Sequence, residues 1–468
     1  MILKHQPIDI EDNDIFKFDK LDRKESIENL SSLLISTNNA FTLSINANWG
    51  AGKTTFIKLW KAYLKQHHGI NSIYFSAWED DFSKEPLISI LGEINQYISE
   101  NFHADPEVEK KFEKVKNIGG KILKRGIPAF LKGMTSGLVD LDKGFEEAIG
   151  AIAESTAKEL IDNYFKDKLV TEEFKNTIKD LLSYIDKDKP FVVFIDELDR
   201  CRPTYAIELL ERIKHIFGID GLIFVLAIDK IQLGESIKSQ YGNIDTDNYL
   251  RRFIDMEFSL KNLKTDQFCH YLYMSVYEFD KLLVKKSIKK EYDPFLDELA
   301  MIKYLSNSLK LTLREIEQIF IQLKIVFSTV QPRLFEVHFR LIVLFLILKM
   351  KLPVDYEALK NGKIDEEKLT TILINKKVND ESKDLEIIIK ASILATSKNE
   401  TELYAVLQEQ LKILNEMEDN SEKYRQEWLT NLLEYGYGQF KQYKLNQAVD
   451  TVIKKIEFLD NFNFEGTI

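Results

Sequence analysis

Hydrophobic and polar residues alternate strictly in one short stretch near the amino terminus. Phe41, Leu43 and Ile45 are apolar and the residues between them are polar, which is the period of a half-buried β-strand. A second apolar set follows at the spacing of a helix: Phe56, Ile57, Trp60, Tyr63 and Leu64. The pattern therefore predicts a strand, a short loop and a helix.

Two later runs are apolar throughout and predict buried parallel strands. Residues 191–195 follow Pro190 and end in Asp196, and residues 222–228 end in Asp229. Shorter strand patterns cover 72–78 and 254–260. Helical patterns separate the strands, and the helix before the first apolar run is predicted over 171–186. An alternation of strands with helices indicates an α/β fold with a mostly parallel sheet.

From residue 262 on, the pattern predicts helices only, over 265–285, 294–309, 312–328 and 337–350. Thr312 and Glu315 have the spacing of a capping box at a helix start. We expect a core formed by residues 1–103 and 169–260, a helical insertion over 104–168, a helical lid over 261–350, and a C-terminal helical domain over 351–468.

The insertion at 104–168 combines basic, apolar and glycine residues. Its basic residues Lys121, Lys124, Arg125 and Lys132 are interleaved with apolar ones, which suits a helix lying on a membrane surface or a helical hairpin packed on protein. Its glycines disfavour a long isolated helix. No apolar run approaches the roughly 20 residues that span a bilayer. We expect packing against protein, in an insertion that the core does not need to close.

Composition narrows the functional classes. The 468-residue chain carries a net charge of −11 and two cysteines, so it has no disulfide framework and gives no strong signal for nucleic-acid binding. No secretory signal is visible at the start, and we expect a cytoplasmic protein.

The loop between the first strand and its helix has the chemistry of a phosphate-binding loop. It reads Asn48, Trp49, Gly50, Ala51, Gly52, Lys53, Thr54 and Thr55. Glycines let backbone N–H groups turn towards phosphate oxygens, and the helix N-terminus favours an anion. Lys53 is expected to contact the β- and γ-phosphates, and Thr54 to ligate Mg²⁺. The usual motif has glycine where this chain has Ala47.

Acidic residues at the ends of the predicted strands supply the carboxylates that the phosphate-binding loop lacks. We expect Asp196 to hold Mg²⁺ and Glu197 to orient or deprotonate the attacking water. Asp229 is either a sensor of the γ-phosphate or a helix N-cap. Arg251 or Arg252 is expected to act on the nucleotide, in cis or from a neighbouring subunit. Arg314 is expected to act from the lid.

These motifs occur in an order that resembles the KAP family of P-loop NTPases, within the signal-transducing ATPases with numerous domains. The most specific string runs from Asp196 through Glu197-Leu198-Asp199-Arg200-Cys201-Arg202 to Pro203. The resemblance covers about residues 10–330. It implies an ATP-driven switch, of a kind found in bacterial defence against phage or in membrane-associated scaffolds. Many members carry membrane-spanning helices between the two nucleotide motifs, and here residues 104–168 stand in that place.

Three functions are compatible with these features. The first is an ATPase switch with ATP and Mg²⁺ as cofactors, acting on a protein effector or on partner subunits, with a homo-oligomer as one arrangement. The second is a nucleotide-dependent scaffold without turnover, with membrane contact through 104–168 as a less favoured variant. The third, a nucleic-acid motor, is disfavoured by the acidic balance. We expect ATP rather than GTP because no base-reading Asn-Lys-x-Asp motif follows the strand ending at Asp196.

Overall fold

The computed structural model describes residues 15–17, 19, 21–37, 39–83, 85–125, 154–260, 265–279, 298–329, 332–374, 383–398, 400–416, 423 and 445–461. The chain forms two compact units, Ile8–Asn262 and Leu263–Ile468. The first unit contains both parts of the predicted core and the described part of the insertion. The finer division into insertion, lid and C-terminal domain stays a prediction.

A five-stranded parallel sheet organises the first unit. The strands are β1 (Phe41–Asn46), β2 (Ser72–Ser76), β3 (Phe191–Asp196), β4 (Leu222–Ile228) and β5 (Met256–Ser259). Their order is β2-β3-β4-β1-β5, which confirms the predicted α/β class. The register pairs Ser76 with Asp196 and Asp196 with Ala227, so the carboxyl ends of these strands form one edge.

Eight helices surround this sheet in the described part of the unit. They are α1 (Lys24–Ile35), α2 (Lys53–Tyr63), α3 (Pro86–Asn101), α4 (Pro106–Arg125), α5 (Glu154–Ile185), α6 (Pro203–His215), α7 (Lys230–Tyr241) and α8 (Thr246–Leu250). Side chains of β3 alternate between two cores. Val192 and Phe194 pack with α1 and α2, and Val193 and Ile195 pack with α3 to α7. Each face of the sheet is therefore covered, as parallel sheets require.

The described part of the predicted insertion packs on the core, in agreement with the expected packing against protein, and the expectation that the core can close without it stays a prediction. Helix α4 contributes five buried residues to the cluster that covers the sheet: Val108, Phe112, Val115, Ile118 and Ile122. Gly119 lies where α4 crosses its neighbours, since a Cβ there would be 3.0 Å from Leu91 Cδ1. This glycine therefore serves close packing. Helix α5 also begins at Glu154, well before the predicted start at 171. Residues 126–153, including Lys132, lie outside the described residues.

The second unit is helical throughout its described residues. Its helices are α9 (Thr265–Tyr271), α10 (Glu298–Ser308), α11 (Leu313–Thr329), α12 (Pro332–Lys351), α13 (Pro353–Lys360), α14 (Glu366–Leu373), α15 (Lys383–Ser397), α16 (Glu400–Glu416) and α17 (Leu445–Phe458). The apolar run at 341–348 is buried in their common core. The capping box is confirmed, since Thr312 N donates to Glu315 Oε2 at 2.7 Å and Glu315 N donates to Thr312 Oγ1 at 3.2 Å. Among the described helices, none is long and apolar enough to cross a membrane.

Candidate active site

The loop between β1 and α2 has the backbone that phosphate binding requires. Gly50 and Gly52 have φ angles of 76° and 82°, in the left-handed region where a Cβ is unfavourable. Gly52 directly precedes α2, so the first N–H groups of that helix face the loop. Ala47 is not among the described residues with positive φ. The alanine in place of the motif's glycine therefore imposes no backbone strain.

Lys53 lies under this loop with only 9% of its surface exposed. Its Nζ donates to the carbonyl oxygens of Ala47 at 2.7 Å and Asn48 at 3.4 Å. Burial lowers the pKa of Lys53, and the nearby carboxylates, Asp199 foremost, oppose that shift. The ammonium group is thus held beside the loop at the position where phosphate oxygens would bind.

Asp196 ends β3 and is 1% exposed. Its carboxylate accepts hydrogen bonds from Glu197 N at 2.9 Å and from Tyr74 Oη at 3.1 Å, and the Thr54 hydroxyl lies near enough to favour its charged form. Burial raises the pKa of Asp196, while these hydrogen bonds favour its charged form. The pairing of Thr54 with Asp196 joins the two oxygen ligands that the sequence predicts for Mg²⁺, and their hard oxygen donors suit that ion.

Glu197 follows directly, with a φ of 61° that is unusual for a residue other than glycine. Its Oε1 forms an ion pair with Arg200 Nη1 at 2.6 Å, and its Oε2 accepts a hydrogen bond from Ser76 Oγ at 3.1 Å. Both carboxylate oxygens are therefore engaged. Sequence reasoning missed Ser76 and Arg200 as neighbours of Glu197, although Arg200 stands in the most specific string of the chain.

Asp229 has both a capping role and a contact with the phosphate-binding loop. Its Oδ1 caps α7 by accepting from Ile231 N and Gln232 N, and its Oδ2 accepts from Trp49 N at 3.1 Å. The structure thus shows the N-cap alternative, and the role as γ-phosphate sensor stays a prediction. A cleft of about 310 Å³ lies beside this contact, lined by Asn48, Trp49, Asp229, Ile231 and Gln232.

The structure corrects the expectation that Arg251 or Arg252 acts in cis. Both arginines are exposed in the turn that leads into β5, and Asp255 N of the same turn donates to Thr42 O near the start of β1. Ala47 follows Thr42 by five residue steps along β1, so the phosphate loop is roughly 16 Å further along. The arginines therefore lie at the amino ends of the strands, opposite the site. Action from a neighbouring subunit stays a prediction.

Arg314 lies in the second compact unit. It is exposed in the first turn of α11, as the capping box predicts. Its action on the nucleotide from a lid stays a prediction.

Fold and site together define a P-loop nucleotide-binding protein. The model of the KAP family P-loop domain matches residues 23–330. The chain belongs to this family, as the motif order predicts.

The solved structures that match this chain share little sequence with it. Caenorhabditis elegans (C. elegans) PCH-2 is 13% identical over 67% of this chain and 66% of PCH-2, a little under two thirds of its length, with a TM-score of 0.29. Aeropyrum pernix ORC2, solved with ADPNP and ADP, is 12% identical over 90% of this chain and 95% of ORC2, with a TM-score of 0.31. Its ADP form is 13% identical over 89% of this chain and 94% of ORC2, also at 0.31. A comparison with curated proteins finds no match.

Proposed function

We propose that this protein is an ATP-hydrolysing switch whose nucleotide state is reported to a partner protein. One observation carries the proposal. Lys53, the Thr54–Asp196 pair and Glu197 are assembled in adjoining positions around the carboxyl ends of β1 and β3. This arrangement supplies a phosphate contact, a metal-ligand pair and a general base, which are the parts that phosphoryl transfer to water requires.

Each of these residues has a definite task. Lys53 exchanges its carbonyl acceptors, Ala47 O and Asn48 O, for phosphate oxygens and balances their charge. Thr54 Oγ1 and Asp196 would hold Mg²⁺, which when bound neutralises charge on the phosphates. Glu197 accepts a proton from the attacking water at a carboxylate oxygen. Trp49 and Gln232 line the cleft beside the loop.

Turnover separates this proposal from the nucleotide-dependent scaffold. The scaffold has one observation in its favour, namely that both oxygens of Glu197 are engaged by Ser76 and Arg200. Phosphate release from ATP should exceed the molar amount of protein, should require Mg²⁺, and should vanish in Lys53→Ala. Binding of ATP without release above one equivalent would leave the scaffold as the function.

The biological setting is proposed from the family resemblance. We place the switch in the cytoplasm, in bacterial defence against phage, with an effector protein as its partner. Two free buried cysteines suit a reducing compartment. Co-purification from the native host, with and without ATP, tests this assignment. A partner retained by Glu197→Gln but lost from Lys53→Ala is the expected result.

Membrane contact through 104–168 is less favoured than contact with protein. In the described part, the apolar face of α4 is already buried against its own unit, while Lys121 and Lys124 remain exposed. Sedimentation with anionic liposomes is expected to leave the protein in the supernatant. Strong co-sedimentation, lost when Lys121 and Lys124 become glutamate, would establish a membrane role instead.

A further inference from the structure

The segment after β3 contacts the segment after β2 at three successive points. Ser76 Oγ donates to Glu197 Oε2 at 3.1 Å. The Arg200 guanidinium lies 5.6 Å from the centre of the Trp78 ring. Arg202 Nε donates to Asp81 Oδ1 at 2.8 Å. The segment from Ser76 to Asp81 therefore lies alongside the segment from Glu197 to Arg202.

Arg200 is the central contact, and it connects a surface residue with the predicted general base. One end of its guanidinium pairs with Glu197 Oε1 at 2.6 Å, and its carbon lies over Trp78, within the range of a cation–π interaction. Trp78 itself is 45% exposed. The position of Arg200 therefore depends on a loop that solvent or a ligand can reach.

This pairing restrains Glu197. While the guanidinium holds Oε1 in a charge-assisted hydrogen bond, that oxygen is less available to an attacking water molecule. The other oxygen already accepts from Ser76. Glu197 has a left-handed backbone, and its side chain lies between these two partners. The observed geometry is thus that of a general base held at rest.

We propose that Arg200 is a positioning residue that restrains Glu197, and that Trp78 holds Arg200 in the restraining position. This inference rests on the proposed hydrolysis, since it concerns the regulation of the same site. Displacement of the loop that carries Trp78 moves Arg200 away and frees Glu197. The restraint then sets the turnover number, whereas nucleotide binding by Lys53 and the phosphate loop is unaffected.

Steady-state ATP hydrolysis by the full chain tests this inference. In Arg200→Met, which keeps an unbranched apolar stem but removes the guanidinium and its charge, kcat should rise by about two- to fivefold, the effect of removing one partly exposed ion pair. KM should change by less than about twofold. Arg200→Lys keeps the charge and should restore most of the restraint. These opposite effects separate a positioning role from a merely structural one.

The loop provides a second, independent set of variants at exposed positions. Trp78→Ala removes the ring below Arg200 and should raise kcat to an intermediate value, while Trp78→Phe keeps an aromatic face and should remain close to the parent. Phe82→Ser is the matched control, because Phe82 is 83% exposed on the same loop. Its kcat should equal that of the parent. Thermal melting checks that each variant is folded.

The outcomes separate this inference from the proposed function. If the parent hydrolyses ATP and Arg200→Met has an equal or lower kcat, Arg200 does not restrain Glu197, and the inference fails while the function stands. If only Arg200→Met hydrolyses ATP, the inference is supported in its strongest form. If neither protein hydrolyses ATP although both bind it, the inference and the proposed hydrolysis fail together.

Discussion

The indole N–H of Trp49 donates a hydrogen bond to the carboxylate of Asp199, and so joins the phosphate-binding loop to the segment after β3. The backbone N–H of the same tryptophan donates to Asp229 at the end of β4. Two acidic residues from neighbouring strands thus hold one residue of the loop. Trp49 remains 44% exposed beside the cleft, where a bound nucleotide would meet it.

The first prediction concerns this contact. Trp49→Phe keeps an aromatic ring but removes the donor, and leaves Asp199 with less compensation for its burial. Since a hydrogen bond to a charged group contributes about 1.5–3 kcal/mol when buried and less when partly exposed, we expect nucleotide affinity to fall by about three- to tenfold. Isothermal titration calorimetry measures this. Trp78→Phe serves as the matched control and should bind nucleotide as the parent does. If Trp49→Phe also binds nucleotide with the affinity of the parent, the contact between Trp49 and Asp199 does not contribute to binding.

A second prediction uses the backbone of the loop. Gly52→Ala places a Cβ on a left-handed residue with φ of 82°, at a cost of about 1–2 kcal/mol, and should weaken nucleotide binding by about five- to thirtyfold. Ala47→Gly restores the usual motif, but Ala47 lacks a positive φ. The affinity of the Ala47→Gly variant for ATP should therefore stay within about twofold of that of the parent. A large gain in Ala47→Gly would mean that the alanine does constrain the loop.

A third prediction follows from the placement of Arg251 and Arg252 at the edge of the sheet opposite the nucleotide. If either acts on ATP, it does so in another copy of the chain, and specific activity must rise with protein concentration. Alanine at the responsible position should lower kcat by about 10³-fold or more. Mixing that variant with Lys53→Ala should recover activity, since each supplies what the other lacks. Concentration-independent activity, together with full activity in both alanine variants, would assign these arginines to the surface.

Arg314→Ala tests the lid separately by the same kinetics.

The capping box of the second unit gives a prediction about stability alone. Thr312→Ala removes the acceptor for Glu315 N and should lower the free energy of unfolding by about 1 kcal/mol. Nucleotide affinity should not change. Thr371→Ala is a matched control, because the Thr371 hydroxyl donates to Glu367 O within α14 and caps no helix end. Denaturant titration of both variants measures the difference, and equal stabilities would show that the cap contributes nothing.

The sequence predicted those features that local chemistry determines. The strand–loop–helix around Lys53 and the apolar strands ending at Asp196 and Asp229 follow from periodicity and residue type, and the fold confirms them. Other features depend on which strands are neighbours. Ser76 meets Glu197 only because β2 pairs with β3, whereas Arg200 reaches Glu197 locally, three residues further along the short helical turn after β3. The cis arrangement of Arg251 and Arg252 does not fit the fold, because both residues precede β5 and therefore lie at the amino ends of the parallel strands, as the strand pattern over 254–260 already implies. Gly119 looked like a helix breaker, but it serves the contact between helices.

The most direct test of the central claim compares Glu197→Gln with the parent and with Lys53→Ala. Glutamine keeps the size of the side chain and an oxygen that can accept from Ser76, but it cannot take a proton from water. We expect Glu197→Gln to bind ATP with the affinity of the parent and to release phosphate at least about 10²-fold more slowly. Lys53→Ala should do neither. Hydrolysis by Glu197→Gln at the rate of the parent would contradict the account, because the carboxylate at the end of β3 would then not be the base.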